Sequence, residues 1–275
     1  MTTTLRPTGP LQPGTDGART RSYEVCVNSR PVGGIEIATL PACGAGTGTV
    51  RSLWIDPADR RRGRGTVAAL AAEEVLRGWG CGRVEVSVPA DAAEAVRLAT
   101  VLGYTERGRD LLKVLDTEPP APPPDTGIRP MTEPEFREWW PTAVEAYARG
   151  WTERGLPDVE ARARSEAHHR ALVDPPGGRP EVLVHRGEAV GRLLVGPNEV
   201  RPGERGAYVY DIEVAEGHRG RGHGRALMHR AESRARESGA RLIGLHVVAG
   251  DTRALGFYES LGYRTADIHL VKRLL

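Results

Sequence analysis

"HRGRGHG", residues 218–224, follows an apolar run, "AYVYDIEV" (207–214), and enters a segment rich in Ala, Arg, Leu and Glu. The order strand, glycine turn, helix builds an anion cradle. Glycines let successive backbone N–H groups turn inward, and the helix N-terminus adds partial positive charge. A near twin, "DRRRGRG", stands at 59–65. Two such loops in one chain raise the question of a repeat.

Sliding the second half over the first at an offset of 159 aligns 51–115 with 210–274 without a gap. Arg60, Gly63 and Gly65 fall on Arg219, Gly222 and Gly224. Ala72, Glu73 and Arg77 fall on Ala231, Glu232 and Arg236, and "LGY" at 102–104 falls on "LGY" at 261–263. Lys113 falls on Lys272. A one-residue shift carries the match upstream, placing "PVGGIEI" (31–37) on "AVGRLLV" (189–195). The chain is an internal duplication.

Its parts follow from composition and period. Residues 1–21, Pro- and Gly-rich, read as a disordered lead-in. Residues 22–116 form a first, truncated copy, and "TEPPAPPPDT" (117–126) reads as an extended proline-rich linker. Residues 127–275 form the fuller copy. There, "EVLVH" and "AVGRLLVG" predict a hairpin, and "AYVYDIEV" and "RLIGLHVV" two more strands. The spacing predicts helices over about 224–238 and 251–260, then a last strand, "IHLVKRL". Only this copy opens with a helical region, 133–172, in which Pro141 is expected to kink or break the helix.

The 38 basic residues nearly balance 36 acidic ones, a formal net charge of +2. That excludes a broad basic field for a polyanion such as DNA. No apolar run reaches the ~18 residues of a membrane span, and the N-terminus lacks a secretory hydrophobic core. Cys26, Cys43 and Cys81 are an odd number without metal-ligand spacing, as expected for reduced thiols in the cytoplasm. Lys113 and Lys272 are the only lysines; abundant Arg, Ala, Gly and Pro fit a GC-rich bacterial origin. A dinucleotide turn is disfavoured, because the strands before "GRGHG" are hairpin-connected and no suitable ribose-binding carboxylate follows. An Arg-Gly nucleic-acid segment would lie in disordered sequence with aromatics to stack on. A tight glycine turn with solvated arginines remains the bland alternative.

The spacing Arg-x-x-Gly-x-Gly after a strand, followed by helix, strand and "D-x-x-A-x-x-F-Y-x-x-L-G-Y", resembles the GNAT N-acetyltransferase superfamily. The likeness covers 127–275 fully and 22–116 partially. It implies an α/β fold of α+β type: two GNAT-like domains, each a mixed, mostly antiparallel sheet flanked by helices, with a splayed acyl-CoA cleft. It implies transfer of an acetyl group from acetyl-CoA, the co-substrate, to a primary amine by direct attack in a ternary complex, without a metal. Arg219, Gly220, Arg221, Gly222, His223 and Gly224 would meet the pyrophosphate. The backbone near Ile212 and Val214 would meet the pantetheine arm. Asp251 stands where the family usually has Asn; both cap helices well. Tyr258 matches the family's acid for the departing thiolate.

Asp211 or Glu213, two apart on one strand, would supply the base and share a face unless a bulge intervenes. Some members place a glutamate where this chain has Tyr208, which leaves that choice open. In the first copy Tyr258, Asp211 and Glu213 become Ala99, Ser52 and Trp54, as expected of a non-catalytic domain. Trp139, Trp140, Tyr147 and Trp151 read as helix packing or as an aromatic wall for the acceptor. His168 and His169 are expected to point apart into solvent. The acceptor is expected to be a small-molecule amine, with a protein lysine or N-terminus as the alternative, or a non-enzymatic acyl-CoA sensor. The N-terminal half is expected to pack on the C-terminal half as a pseudo-dimer, with a homodimer of whole chains also open.

Overall fold

The structure is a computed structural model and describes residues 2–14, 17–44, 46–116, 120, 125–153, 156–173 and 179–274. Two compact units emerge. Unit 1 comprises Met1–Arg109, Arg154–Leu156 and Ala266–Leu275; unit 2 comprises Asp110–Glu153 and Pro157–Thr265. These bounds differ from a division in chain order, because each unit holds a segment from the far half. The proline-rich segment expected as a linker lies largely outside the described residues.

The first half runs β1 (Thr3–Pro7), β2 (Gln12–Pro13), β3 (Arg19–Val27), β4 (Arg30–Thr39), β5 (Thr47–Ile55), α1 (Arg64–Gly78), β6 (Arg83–Pro89), α2 (Ala93–Val101) and β7 (Thr105–Val114). The second runs β8 (Thr126–Pro130), α3 (Glu133–Thr152), α4 (Asp158–Val173), β9 (Glu181–His185), β10 (Glu188–Arg201), β11 (Glu204–Val214), α5 (His223–Glu237), β12 (Leu242–Val248), α6 (Thr252–Ser260) and β13 (Arg264–Arg273). In unit 1 the strands lie in the order β1-β3-β4-β5-β6-β13, with β2 on β3; in unit 2 the order is β7-β12-β11-β10-β9-β8. The last strand of each half therefore completes the sheet of the other half's unit. β13 pairs antiparallel with β6 from Asp267↔Pro89 to Arg273↔Arg83.

Both units are mostly antiparallel with one short parallel contact. β5 and β6 meet at Thr47↔Arg83 and Gly48↔Val84. β11 and β12 meet from Ala207↔Ile243 to Val209↔Leu245 and then part. Each of the two central strands also carries one extra residue. The register on β4 skips Arg51, and the register on β10 skips Tyr210, which aligns with Arg51 at the repeat offset. A bulge bends its strand and ends regular pairing nearby, so the cleft is built the same way twice.

Residues 3–7 depart from the disorder expected of the lead-in. β1 adds antiparallel to β3, Thr3↔Val27 through Pro7↔Tyr23, and Arg6 Nε donates to Glu24 at 2.9 Å. The proline and glycine count masked a β-compatible "TLR" whose Leu5 packs on the unit 1 core. Helix α3 likewise continues through Pro141 without breaking. Its start is fixed by a capping box between Thr132 and Glu135, which satisfies two orphan donors reciprocally.

Three apolar clusters hold the units. In unit 1, Val25, Val32, Ile37 and Val84 are fully buried against Leu76 of α1. In unit 2, Leu183, Leu193, Leu227, Met228, Ile243 and Leu245 fill one sheet face under α5 and α6. Met131, Trp139, Ala143, Leu172, Val182 and Leu194 fill the other under α3 and α4.

Candidate active site

The second glycine loop begins where β11 ends. A 3₁₀ turn, Glu216–His218, reverses the chain, and the Arg219 side chain turns back to donate from Nε to the Val214 carbonyl at 3.0 Å. Arg60 does the same to Ile55 at 2.8 Å in unit 1. This arginine therefore closes the turn through the backbone, and Arg221 stands exposed beside it. Gly220 and Gly222 adopt φ of +76° and +85°, a region that favours glycine. Gly222 caps α5 without any side-chain hydrogen bond. The first N–H groups of α5 thus meet no side-chain acceptor there, and the cradle suits a phosphate. A Cβ on Gly224 would lie 3.4 Å from the Phe257 ring and 3.9 Å from Val214, so glycine lets α5 approach α6 and β11 closely.

Alternation along β11 sorts its residues between two faces. Ile212 and Val214 pack with Phe257 against the cluster that contains Tyr258. Tyr258 is 8% exposed, and burial, then the Asp251 charge, pushes its hydroxyl up to about 12. It is fully protonated at neutral pH. Asp251 caps α6 as expected, accepting from the Ala254 N–H at 2.8 Å.

The bulge falls at Tyr210, before the carboxylates, so Asp211 and Glu213 share the opposite face. Both meet Arg192 of β10: Arg192 Nε donates to Asp211 Oδ2 at 2.8 Å, and its terminal nitrogen pairs with Glu213. The same Asp211 oxygen accepts from Trp139 Nε1 of α3 at 2.8 Å. Asp211 thus ties helix, sheet and arginine together, whereas Glu213, with 43% of its side chain exposed, remains approachable. One cation against two carboxylates leaves the cluster with a net charge of about −1.

Arg192 and Trp139 were not singled out from sequence as partners of this site. A signal was present in the repeat. The shifted alignment puts Gly34 on Arg192, and the direct one puts Trp54 on Glu213 and Ser52 on Asp211. In unit 1 the Trp54 ring lies on Gly34, where an added Cβ would stand 2.7 Å from Trp54 Nε1. All three members of the charged cluster are replaced together.

The aromatic residues of α3 pack on one another and on α4, with Tyr147 40% exposed. Trp139 is buried and meets Phe136, Trp140 and His169 at ring separations of 5.7, 6.3 and 6.0 Å. His168 and His169 do not point apart into solvent: their rings lie 5.7 Å from each other and both meet Tyr147. His169 is buried, with Nδ1 2.9 Å from the Ser165 carbonyl oxygen, and His168 stacks on Tyr147 at 4.7 Å. Burial, then His169, lowers the His168 proton affinity. The charged appearance of α4 hid the face it presents to α3. Tyr208 is pushed well above the ordinary tyrosine range, chiefly by burial, so its hydroxyl stays neutral and does not replace a carboxylate base. Among the described residues, no helix is long and apolar enough to cross a membrane.

The chain matches the model of the acetyltransferase (GNAT) family twice, over residues 8–104 and 129–263, and it belongs to that family as a tandem GNAT protein. Among solved structures it is similar to a GCN5-related N-acetyltransferase from Sphaerobacter thermophilus. That pair is 20% identical over 92% of this chain and 80% of the other, with a TM-score of 0.57. It is similar to a GCN5-related N-acetyltransferase from Kribbella flavida, 16% identical over 88% and 87%, with a TM-score of 0.51. A tandem GNAT protein from the clavulanic acid biosynthesis pathway is 20% identical over 95% and 84%, with a TM-score of 0.48. No curated protein gives a significant match. Family membership makes this an acyltransferase fold, and the family uses acetyl-CoA as its co-substrate.

Proposed function

We propose that unit 2 transfers an acetyl group from acetyl-CoA to the primary amine of a small molecule, and that unit 1 is not catalytic. The observation that supports this most is the joint replacement of four residues across the repeat. Tyr258, Asp211, Glu213 and Arg192 all become side chains without acid–base capacity in unit 1, while both loops and both bulges remain. Acetyl-CoA supplies the activated thioester. The N–H groups from Gly220 to Gly224 would hold its pyrophosphate with Arg221 nearby. Past Val209 the pairing of β11 with β12 ends, so the backbone near Ile212 can pair with an extended amide arm, while the Val214 carbonyl is held by Arg219.

The net negative charge around Arg192 draws a cationic ammonium toward Glu213. In this reading Glu213, directly or through water, takes the proton that must leave before the amine attacks. Asp211 acts through Arg192 and Trp139 as a positioning residue. Tyr258 donates to the departing sulfur. A tyrosine near 12 facing an alkyl thiol near 8.5 favours a strong hydrogen bond over complete proton transfer.

The test is thiol release from acetyl-CoA by the full chain across a broad panel of small amines, peptides with lysine and free peptide N-termini. Release with a small amine is expected. Release only with peptides would move the acceptor to protein, and CoA binding without release across the panel would favour a sensor.

A further inference from the structure

Three histidines converge beneath the second loop, and nothing in the proposed chemistry uses their rings. His223 is the first residue of α5. Its imidazole is only 3% exposed, and neither ring nitrogen has a hydrogen-bond partner. The His185 ring from β9 lies 4.9 Å away and the His218 ring from the 3₁₀ turn 6.3 Å away. The Nδ1 of His218 is likewise buried without a partner, and its Nε2 is 3.4 Å from a Glu188 oxygen on β10. His185 Nδ1 lies 3.4 Å from the Thr126 hydroxyl of β8. Arg221 is the remaining charge felt by His223.

Unit 1 solves the same positions differently. At the repeat offset Arg64 replaces His223 and Asp59 replaces His218, and these two form a buried ion pair, joined by Arg30 at 2.9 Å from Asp59. A fixed charge pair in one copy is a set of titratable rings in the other.

We propose that the His223–His218–His185 cluster couples proton uptake to anion binding at the second loop, so that unit 2 holds CoA more tightly as pH falls. This rests on the reading of that loop as the pyrophosphate site. In the free protein, burial first, and then His185, His218 and Arg221, keep His223 below the ordinary histidine range, so its ring is neutral at neutral pH. A pyrophosphate seated on the α5 N–H groups brings negative charge within several ångströms of the rings. That charge raises their proton affinity about tenfold or more. Binding and protonation are then linked, and each strengthens the other by the same factor.

The experiment is calorimetric titration of the full chain with CoA at pH 8 and pH 6, in buffers of differing ionisation enthalpy to count protons. Wild type should take up about one proton near neutral pH and tighten several-fold toward pH 6. The CoA phosphates titrate too, so the readout is the ratio of the two Kd values within each protein. That ratio should fall toward the CoA-only baseline in His223→Leu, with His218→Gln as a milder second variant. A wild-type ratio and proton count in both variants overturn the inference while leaving the binding site intact. Failure of wild type to bind CoA at either pH overturns the site itself.

Discussion

At the residue scale, Tyr258 and the Arg192 cluster carry separable roles. Tyr258→Phe removes one oxygen from a buried ring whose packing is otherwise kept. Turnover should fall by about a hundredfold, while the KM for acetyl-CoA stays within about twofold. Wild-type turnover in that variant removes the tyrosine from the mechanism. Because the Tyr258 hydroxyl is pushed up to about 12, rate should show no tyrosine ionisation limb below about pH 10. The two carboxylates should respond differently to substitution. Glu213→Gln, half exposed, should cut turnover with little change in stability. Asp211→Ala leaves the Trp139 N–H and the Arg192 Nε–H without their acceptor and should cost about 2 kcal/mol of stability, read from the denaturation midpoint. Equal stability losses in the two variants would contradict this division of labour.

At the element scale, the cleft depends on how closely β10 approaches β11. Gly191 sits where an added Cβ would lie 2.8 Å from the Glu213 backbone oxygen and 3.0 Å from Leu227. Its repeat partner Gly33 is tighter still, against the Trp54 carbonyl in unit 1. Gly191→Ala should therefore destabilise by about 1–3 kcal/mol through overpacking. It should also displace Glu213, so turnover falls even where the protein remains folded. A variant with unchanged melting temperature and rate would show that β10 can yield there. The two bulges, at Arg51 and Tyr210, belong to the same scale: they bend the central strands just past the point where the parallel pairing stops.

At the scale of the whole molecule, the exchanged strands are each pinned by a buried ion pair made from the chain's only lysines. Lys272 of β13 donates to Glu73 of α1 at 2.6 Å, and Lys113 of β7 donates to Glu232 of α5 at 2.7 Å. Each lysine also lies 5.6 Å from a tyrosine ring, Tyr104 and Tyr263 respectively. Glu232 is 2% exposed. Lys113→Met should thus cost about 3–5 kcal/mol, because a buried carboxylate loses its partner, whereas Lys113→Met with Glu232→Met should recover most of it. A single variant that melts like wild type would show the pair to be dispensable. A fragment of residues 127–275 lacks the 110–114 segment of unit 2, and its last strand loses β6. It should show no cooperative unfolding transition, in contrast to the full chain.

Much was legible in the sequence because it is written locally. Period and glycine punctuation placed β9, β12, α5 and α6 within a residue or so of their observed ends, whereas β10 runs on to Arg201 and β11 already begins at Glu204; the repeat offset matched loop to loop and bulge to bulge. The aligned Glu73/Glu232 and Lys113/Lys272 were visible as matches, yet their pairing was not. Each lysine meets the glutamate of the opposite half, and a linear alignment contains no information about which copy a strand joins. The Arg192 cluster was hidden for a related reason, since β10 and β11 register residues that a shifted alignment alone connects. Likewise β1 and the buried His169 depend on surfaces supplied by distant segments. Local sequence thus determined the glycine loops, the helices and the duplication. Only the tertiary structure decided which strands complete which unit and which charges meet, because buried pairing is a property of segments far apart in the chain.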